Sequence, residues 1–198
     1  MRIITYLTLA IIAATILLDT YIGEPISKQQ QMMVDSAIAL IASKHLSPDE
    51  SILRDVRSCG NFRQSWLLNH LAEKGRNGDS DFGFHAYTPV LSRTRIFLGE
   101  DFSCIGAKGR ASVLVHEAQH LRRHRRRILR GIPRTADEAE AYTHQYYTYR
   151  KLGLRESSDS LVYWDMMLGV KQFVVPRNPR FAKLADIKKA SRVLAGYY

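Results

Sequence analysis

The stretch VLVHEAQHLRRHRRRILRG, Val113 to Gly131, decides how this chain is read. Three aliphatic residues, Val113, Leu114 and Val115, lead into His116, Glu117 and His120, and Arg122, Arg123, Arg125, Arg126, Arg127 and Arg130 follow. The spacing predicts a helix over Ala111 to Arg130, closed by Gly131 and Pro133, whose apolar start enters a core. His116 and His120 are one turn apart and share a face. Two imidazoles so placed can grip one Zn2+ at about 2.0–2.1 Å each. Glu117 reaches the same place without ligating. Zinc brings the pKa of its water towards about 7, and a carboxylate alongside takes that proton and hands it to a leaving amine. This is the logic of H-E-x-x-H. The bland alternative is a basic helix with two exposed histidines and a surface glutamate.

Working outward, FGFHAYTPVL and TRIFLGEDF, rich in aromatic and β-branched residues, predict two short strands before the motif. Further upstream, helices are expected from Lys28 to His45, from the capping sequence SPDE at Ser47, and from Asn61 to Lys74. Downstream, Thr135 caps a helix running to about Lys151, and two more follow over Leu161–Val174 and Phe181–Ala195. The expected fold class is α+β: mostly helical, with a small sheet before the motif helix.

Over roughly Thr94 to Arg150 the chain resembles the zincin metallopeptidases. That resemblance implies peptide-bond hydrolysis, with an edge strand beside the cleft on which substrate pairs as an added strand; TRIFLG stands in the place of that strand. It also implies a third zinc ligand further along. Metzincins put glycine three and histidine six residues after the second histidine; Arg123 and Arg126 stand there, so that branch fails. His124 follows His120 by four residues, but three turns of one straight helix converge poorly on a tetrahedral ion. The gluzincin pattern, a glutamate ligand with alanine three residues on, fits Glu138 and Ala141. Tyr142 replaces the aspartate common after that alanine. The resemblance therefore implies His116, His120 and Glu138 as ligands and Glu117 as general base and acid. Glu138 has a structural alternative, because Thr135 and Glu138 form a T-x-x-E capping box. Glu140 is then the ligand, with Asp137 and His144 as further candidates. For a donor to the developing oxyanion the sequence offers Tyr142, Tyr146, Tyr147, Tyr149, Tyr163 and His85 without choosing among them.

The N-terminal segment is different in kind. Residues 1–24 carry an apolar run from Ile3 to Leu18, long for a signal-peptide core, with no clear cleavage site after it. It is expected to be a membrane anchor or export signal, with 25–198 as the zincin-like domain. Arg2 on one side, against Asp19 and Glu24 on the other, directs that domain out of the cytoplasm. Two cysteines in an exported domain predict a Cys59–Cys104 disulfide, worth about 3–4 kcal/mol on the chain-entropy account. The net charge of +10 suits an anionic surface. The Arg122–Arg130 helix offers a cationic face to anionic lipid headgroups or envelope polymers, whereas export removes most nucleic-acid partners. Two rival readings stand beside the peptidase: a non-catalytic basic binding module, and a zinc hydrolase acting on a non-peptide bond.

Overall fold

The computed structural model describes residues 13–14, 23–44, 49–67, 86–89, 94–130, 134–155 and 160–184, and of 124–130, 134, 160 and 161 the backbone alone. The chain enters at Gly23, whose φ of 59° sets a left-handed turn packed on the Phe97 ring and the Gln64 carbonyl; a side chain there would collide with both. Strand β1, Glu24–Pro25, follows at the sheet margin, where proline costs no ladder bond. Helix α1, Lys28–Ser43, opens with a capping box in which the Ser27 hydroxyl accepts from the Gln30 amide and Gln30 Oε1 accepts from the Ser27 amide. It buries Val34, Ala37, Ile38 and Ile41. Helix α2, Asp49–Ser58, adds Leu53 and Val56.

A four-stranded sheet stands in the order β1-β2-β4-β3, with β2 at Phe62–Gln64, β3 at Ala86–Tyr87 and β4 at Ile96–Leu98. β2 runs parallel to β4, while β1 and β3 are antiparallel to their neighbours. All three residues of β4 are buried. Two expectations change here. The segment from Asn61, expected to be helical to Lys74, begins as β2, because pairing on both sides and the buried Phe62 outweigh the local helix signal; Trp66 and Leu67 are helical, and 68–74 lie outside the described residues. TRIFLG does not form the edge strand. Its β4 is interior, and β1 and β3 hold the two edges among the described strands.

A 3-10 turn, Glu100–Ser103, leads into α3, Ala107–Arg130, the axis of the domain. Ala111, Leu114, Val115 and Ala118 are fully buried on it, as its apolar start predicts. α4, Arg134–Lys151, packs back along α3. The pairs His120–Asp137 and His116–Gln145 step in opposite senses along the two helices, so the hairpin is antiparallel. Ala141, fully buried on the face of α4 that carries Glu138 and Gln145, lets the backbones approach. α5, Ser160–Gly169, continues as a π-helical segment, Val170–Val174, and a 3-10 turn, Pro179–Lys183, closes the described chain. Trp164, Met166, Met167 and Phe181 complete one core shared with α1 and β4. The expected Phe181–Ala195 helix lies beyond residue 184, outside the described residues, except for that turn.

The expected disulfide is not formed. Cys59, at the end of α2, and Cys104, after the 3-10 turn, are free, exposed thiols, each beside the hydroxyl of its own preceding serine. No helix among the described residues is long and apolar enough to cross a membrane, and most of the expected N-terminal anchor lies outside them.

Candidate metal centre

His116 and His120 project from one face of α3 and meet Glu138 from the first turns of α4. Both histidines are buried, and Glu138 is partly so. The two Nε2 atoms lie 3.1 Å apart, and Glu138 Oε2 is 3.5 Å from each. A tetrahedral zinc with bonds of about 2.0–2.1 Å has donor atoms about 3.3–3.4 Å apart. The triangle therefore has the dimensions of one face of a zinc tetrahedron.

The outer nitrogens explain why the inner ones converge. His120 Nδ1 is 2.8 Å from Asp137 Oδ2, so Nδ1–H donates to the carboxylate. His116 Nδ1 is 3.1 Å from Gln145 Oε1 and donates to that carbonyl. Each acceptor fixes its imidazole in the tautomer whose lone pair is on Nε2. Two lone pairs facing each other at 3.1 Å repel unless a cation or a proton lies between them. Without metal, a proton serves. Burial opposes charging His120, but its bond to Asp137 and the nearby Glu138 and Glu117 carboxylates outweigh that and raise its pKa well above the ordinary value. Burial likewise opposes charging Glu138, and the two imidazoles facing it win, holding its carboxyl below the usual range. The donor set thus fits zinc: two neutral imidazoles and one carboxylate, with a carboxylate–histidine pair behind them.

Glu117 is buried next to this triangle. Its Oε2 has no hydrogen-bond partner among the described residues. A buried carboxylate oxygen left without a partner calls for a ligand, a water or a chemical role. Its own backbone carbonyl accepts from Thr88 Oγ1 at 3.4 Å, which ties the end of β3 to the motif turn.

No family model, no curated protein and no solved structure matches this chain.

The remaining candidates separate clearly in space. Glu140 is ion-paired with Arg123, on the flank of the α3/α4 hairpin away from the triangle. Asp137 bonds His120 through its outer nitrogen rather than joining the triangle. Thr135 stands inside α4, which begins at Arg134, and not at its cap; the Thr135 hydroxyl accepts from Arg177 Nη2 at 2.8 Å. His144 is exposed on α4, where partial burial and then Arg122 and Arg123 hold its pKa below the ordinary value. Of the tyrosines, Tyr142 sits edge-on to His116 with ring centroids 4.5 Å apart. Tyr149 donates to the Arg155 carbonyl, and Tyr146 and Tyr147 pack on Phe181. Tyr163 lies between Tyr149 and Trp164. His85 and the side chain of His124 are outside the described residues, as are the side chains of Arg125, Arg126, Arg127 and Arg130.

Gln145 and the outer role of Asp137 went unread in the sequence, although a signal for Gln145 existed. Glu138, Ala141, Tyr142 and Gln145 follow the i, i+3, i+4, i+7 rule, so a helix that presents Glu138 to the histidines presents the other three as well.

Proposed function

We propose that this chain is a zinc-dependent metallopeptidase of gluzincin type, with His116, His120 and Glu138 holding the metal and Glu117 acting as general base and acid. The observation that carries this reading is the convergence of three donor atoms at 3.1, 3.5 and 3.5 Å, beside a buried glutamate with an unpartnered oxygen. When bound, zinc supplies Lewis acidity, polarising a carbonyl and activating a water.

The chain's own residues do the rest. Asp137 and Gln145 hold the two imidazoles in the ligating tautomer and orientation. Glu117 takes a proton at its open Oε2 and returns it to the leaving amine. Burial of the histidines and Glu117 keeps bulk water from competing for these charges. β3, at one edge of the sheet among the described strands and tied through Thr88 to the carbonyl of Glu117, suits an extended peptide laid alongside as an added strand. We assign the 1–24 segment to membrane attachment or export, with the domain extracytoplasmic, and the exposed Arg122 with the basic turn after it to anionic envelope surfaces.

Elemental analysis of purified protein is expected to give one zinc per chain. Glu117→Gln keeps that zinc and lowers peptide hydrolysis by about 10²–10⁴-fold. Protein that neither contains nor takes up zinc would end the proposal. Zinc with ester but no peptide hydrolysis moves the chain to the non-peptide hydrolases, and zinc with no turnover moves it to the binding modules.

A further inference from the structure

Gly169 is an anomaly in α5. Glycine is a poor helix former, yet it stands inside a continuous helical run with ordinary helical torsions, φ −60° and ψ −42°. The reason is the Tyr142 ring. A Cβ built on Gly169 would fall against Tyr142 Cε1, Cζ and Cδ1, closer than any real contact allows. Only glycine leaves room for that ring.

The ring cannot move aside cheaply, because it is held on other sides too. Phe173 stacks on it with centroids 5.8 Å apart and planes 4° from parallel. His116 meets it edge-on at 4.5 Å and 71°. Phe173 belongs to the π-helical turn, closed by the Val175 amide on the Val170 carbonyl, and this wider turn begins one residue after Gly169. Gly169 and the π turn thus make one seat for one aromatic side chain.

The seat matters because of how His116 is held. His120 donates to a carboxylate at 2.8 Å, whereas His116 donates to a neutral amide oxygen at 3.1 Å. Neutral bonds are weaker than charge-assisted ones. A single neutral bond of this length leaves the imidazole torsional play about its Cα–Cβ and Cβ–Cγ bonds; a rigid ring packed against it restricts that play.

We infer that Tyr142, seated in the notch formed by Gly169 and Phe173, is a positioning residue that fixes the plane of His116 and so sets the metal affinity and coordination geometry of the centre. The role belongs to the ring and not to its hydroxyl. It rests on the reading of His116 as a metal ligand.

The test measures zinc affinity by chelator competition and the visible absorption of the cobalt-substituted protein on the full chain, with melting of the metal-free form as the control for folding. Tyr142→Phe should match the wild type in both. Tyr142→Ala should weaken zinc by about ten- to a hundred-fold and change the cobalt spectrum. Gly169→Ala, which forces the ring out of its seat without touching it chemically, should act in the same direction. Should Tyr142→Ala fail to fold, Phe173→Leu withdraws the backing ring and carries the same expectation. Unchanged affinity and spectrum in folded Tyr142→Ala or Phe173→Leu, with only the metal-free melting temperature lowered, overturns the inference and leaves the metal centre standing. A Tyr142→Phe protein as weak as Tyr142→Ala overturns it as well, since the hydroxyl is then the working group. Wild-type protein that binds neither metal removes the centre itself, which is a different failure.

Discussion

Helix α3 presses a buried carboxylate on each of two flanks, and the two are treated in opposite ways. On one flank Asp137 and Glu138 face His120 and His116, and Glu138 is held below its usual pKa. On the other, Asp49 from α2 accepts from Gln119 Nε2 at 2.5 Å. Burial raises the Asp49 pKa to about 6, only partly offset by Arg122 and by Gln119. A buried anion needs a cation or several donors to stay charged. The Asp49 flank offers one amide and a more distant guanidinium. The Glu138 flank offers two imidazoles whose lone pairs converge and admit a cation. Both flanks bury acid to a similar degree, and only one is built around a positive charge. Burial alone therefore does not mark the site; the disposition of donors does.

The largest expected effect lies on the Glu138 flank. Glu138→Ala should lose most of the zinc, because two imidazoles alone make a weak site and catalytic zinc normally has three protein ligands. Zinc retained at wild-type affinity would collapse the contrast between the flanks. The metal-free protein carries a pH signature of its own. A raised His120 pKa stabilises the fold fully below about 6.5 and loses that contribution as pH rises through the raised value. A lowered Glu138 pKa stabilises above about 4.5 and loses its contribution as pH falls through the lowered value. Zinc bound as proposed would displace the His120 proton, so apparent zinc affinity should climb with pH, roughly tenfold per unit for each proton released. A flat affinity between pH 6 and 8 would show that no proton is displaced.

Asp49 gives the next effect, with the sign opposite to that of Glu138. Its raised pKa means that the folded state binds a proton more tightly than the unfolded chain, so stability falls as pH rises from about 4 to about 6. Two pKa units correspond to about 3 kcal/mol as an upper bound. Urea denaturation across that range should show the decline in wild type relative to Asp49→Asn, which keeps an acceptor for Gln119 and cannot ionise. Parallel curves for the two proteins would show that Asp49 stays charged, making the flanks alike. Asp137→Asn returns to the first flank with a graded effect: the ligands remain, but His120 loses its charged anchor, and zinc affinity should drop by about ten- to a hundred-fold. An affinity equal to wild type would reduce the His120–Asp137 bond to packing.

Helical period and motif spacing made one part of this molecule legible and left another part closed. The α3 core face, the pairing of His116 with His120, and the approach of Glu138 over a small Ala141 all follow from 3.6-residue geometry and a short connection. The same arithmetic would have delivered Gln145 and Tyr142. The sheet resisted because its strands are two or three residues long and exist only through pairing: Phe62–Gln64 is a strand because β1 and β4 flank it, and no local signal says so. The order that makes β3 an edge and β4 interior is equally non-local. An even cysteine count says nothing of where the thiols point, and Cys59 and Cys104 face solvent separately. Gly169 reads as a helix defect until the ring that needs the space is seen.

The smallest expected effect is the sharpest test of the comparison, because it concerns two glutamates two residues apart on α4. Glu138 and Glu140 are separated by about 200° around the helix axis, so a helix that delivers one to the histidines sends the other elsewhere. Glu140 pairs with Arg123, in an arrangement where the glutamate side is half exposed. Such pairs contribute about 0–1 kcal/mol after solvent screening. Glu140→Ala is therefore expected to keep its full complement of zinc and to shift the melting temperature only slightly. The partner change, Arg123→Gln, should do the same, which places this arginine with the hairpin rather than with the arginine run that follows it in sequence. A Glu140→Ala protein that loses zinc while Glu138→Ala keeps it would rotate α4 by more than half a turn relative to α3, and with it the assignment of Asp137, Tyr142 and Gln145. If both variants lose zinc equally, the hairpin packing as a whole, and no single carboxylate, holds the centre together.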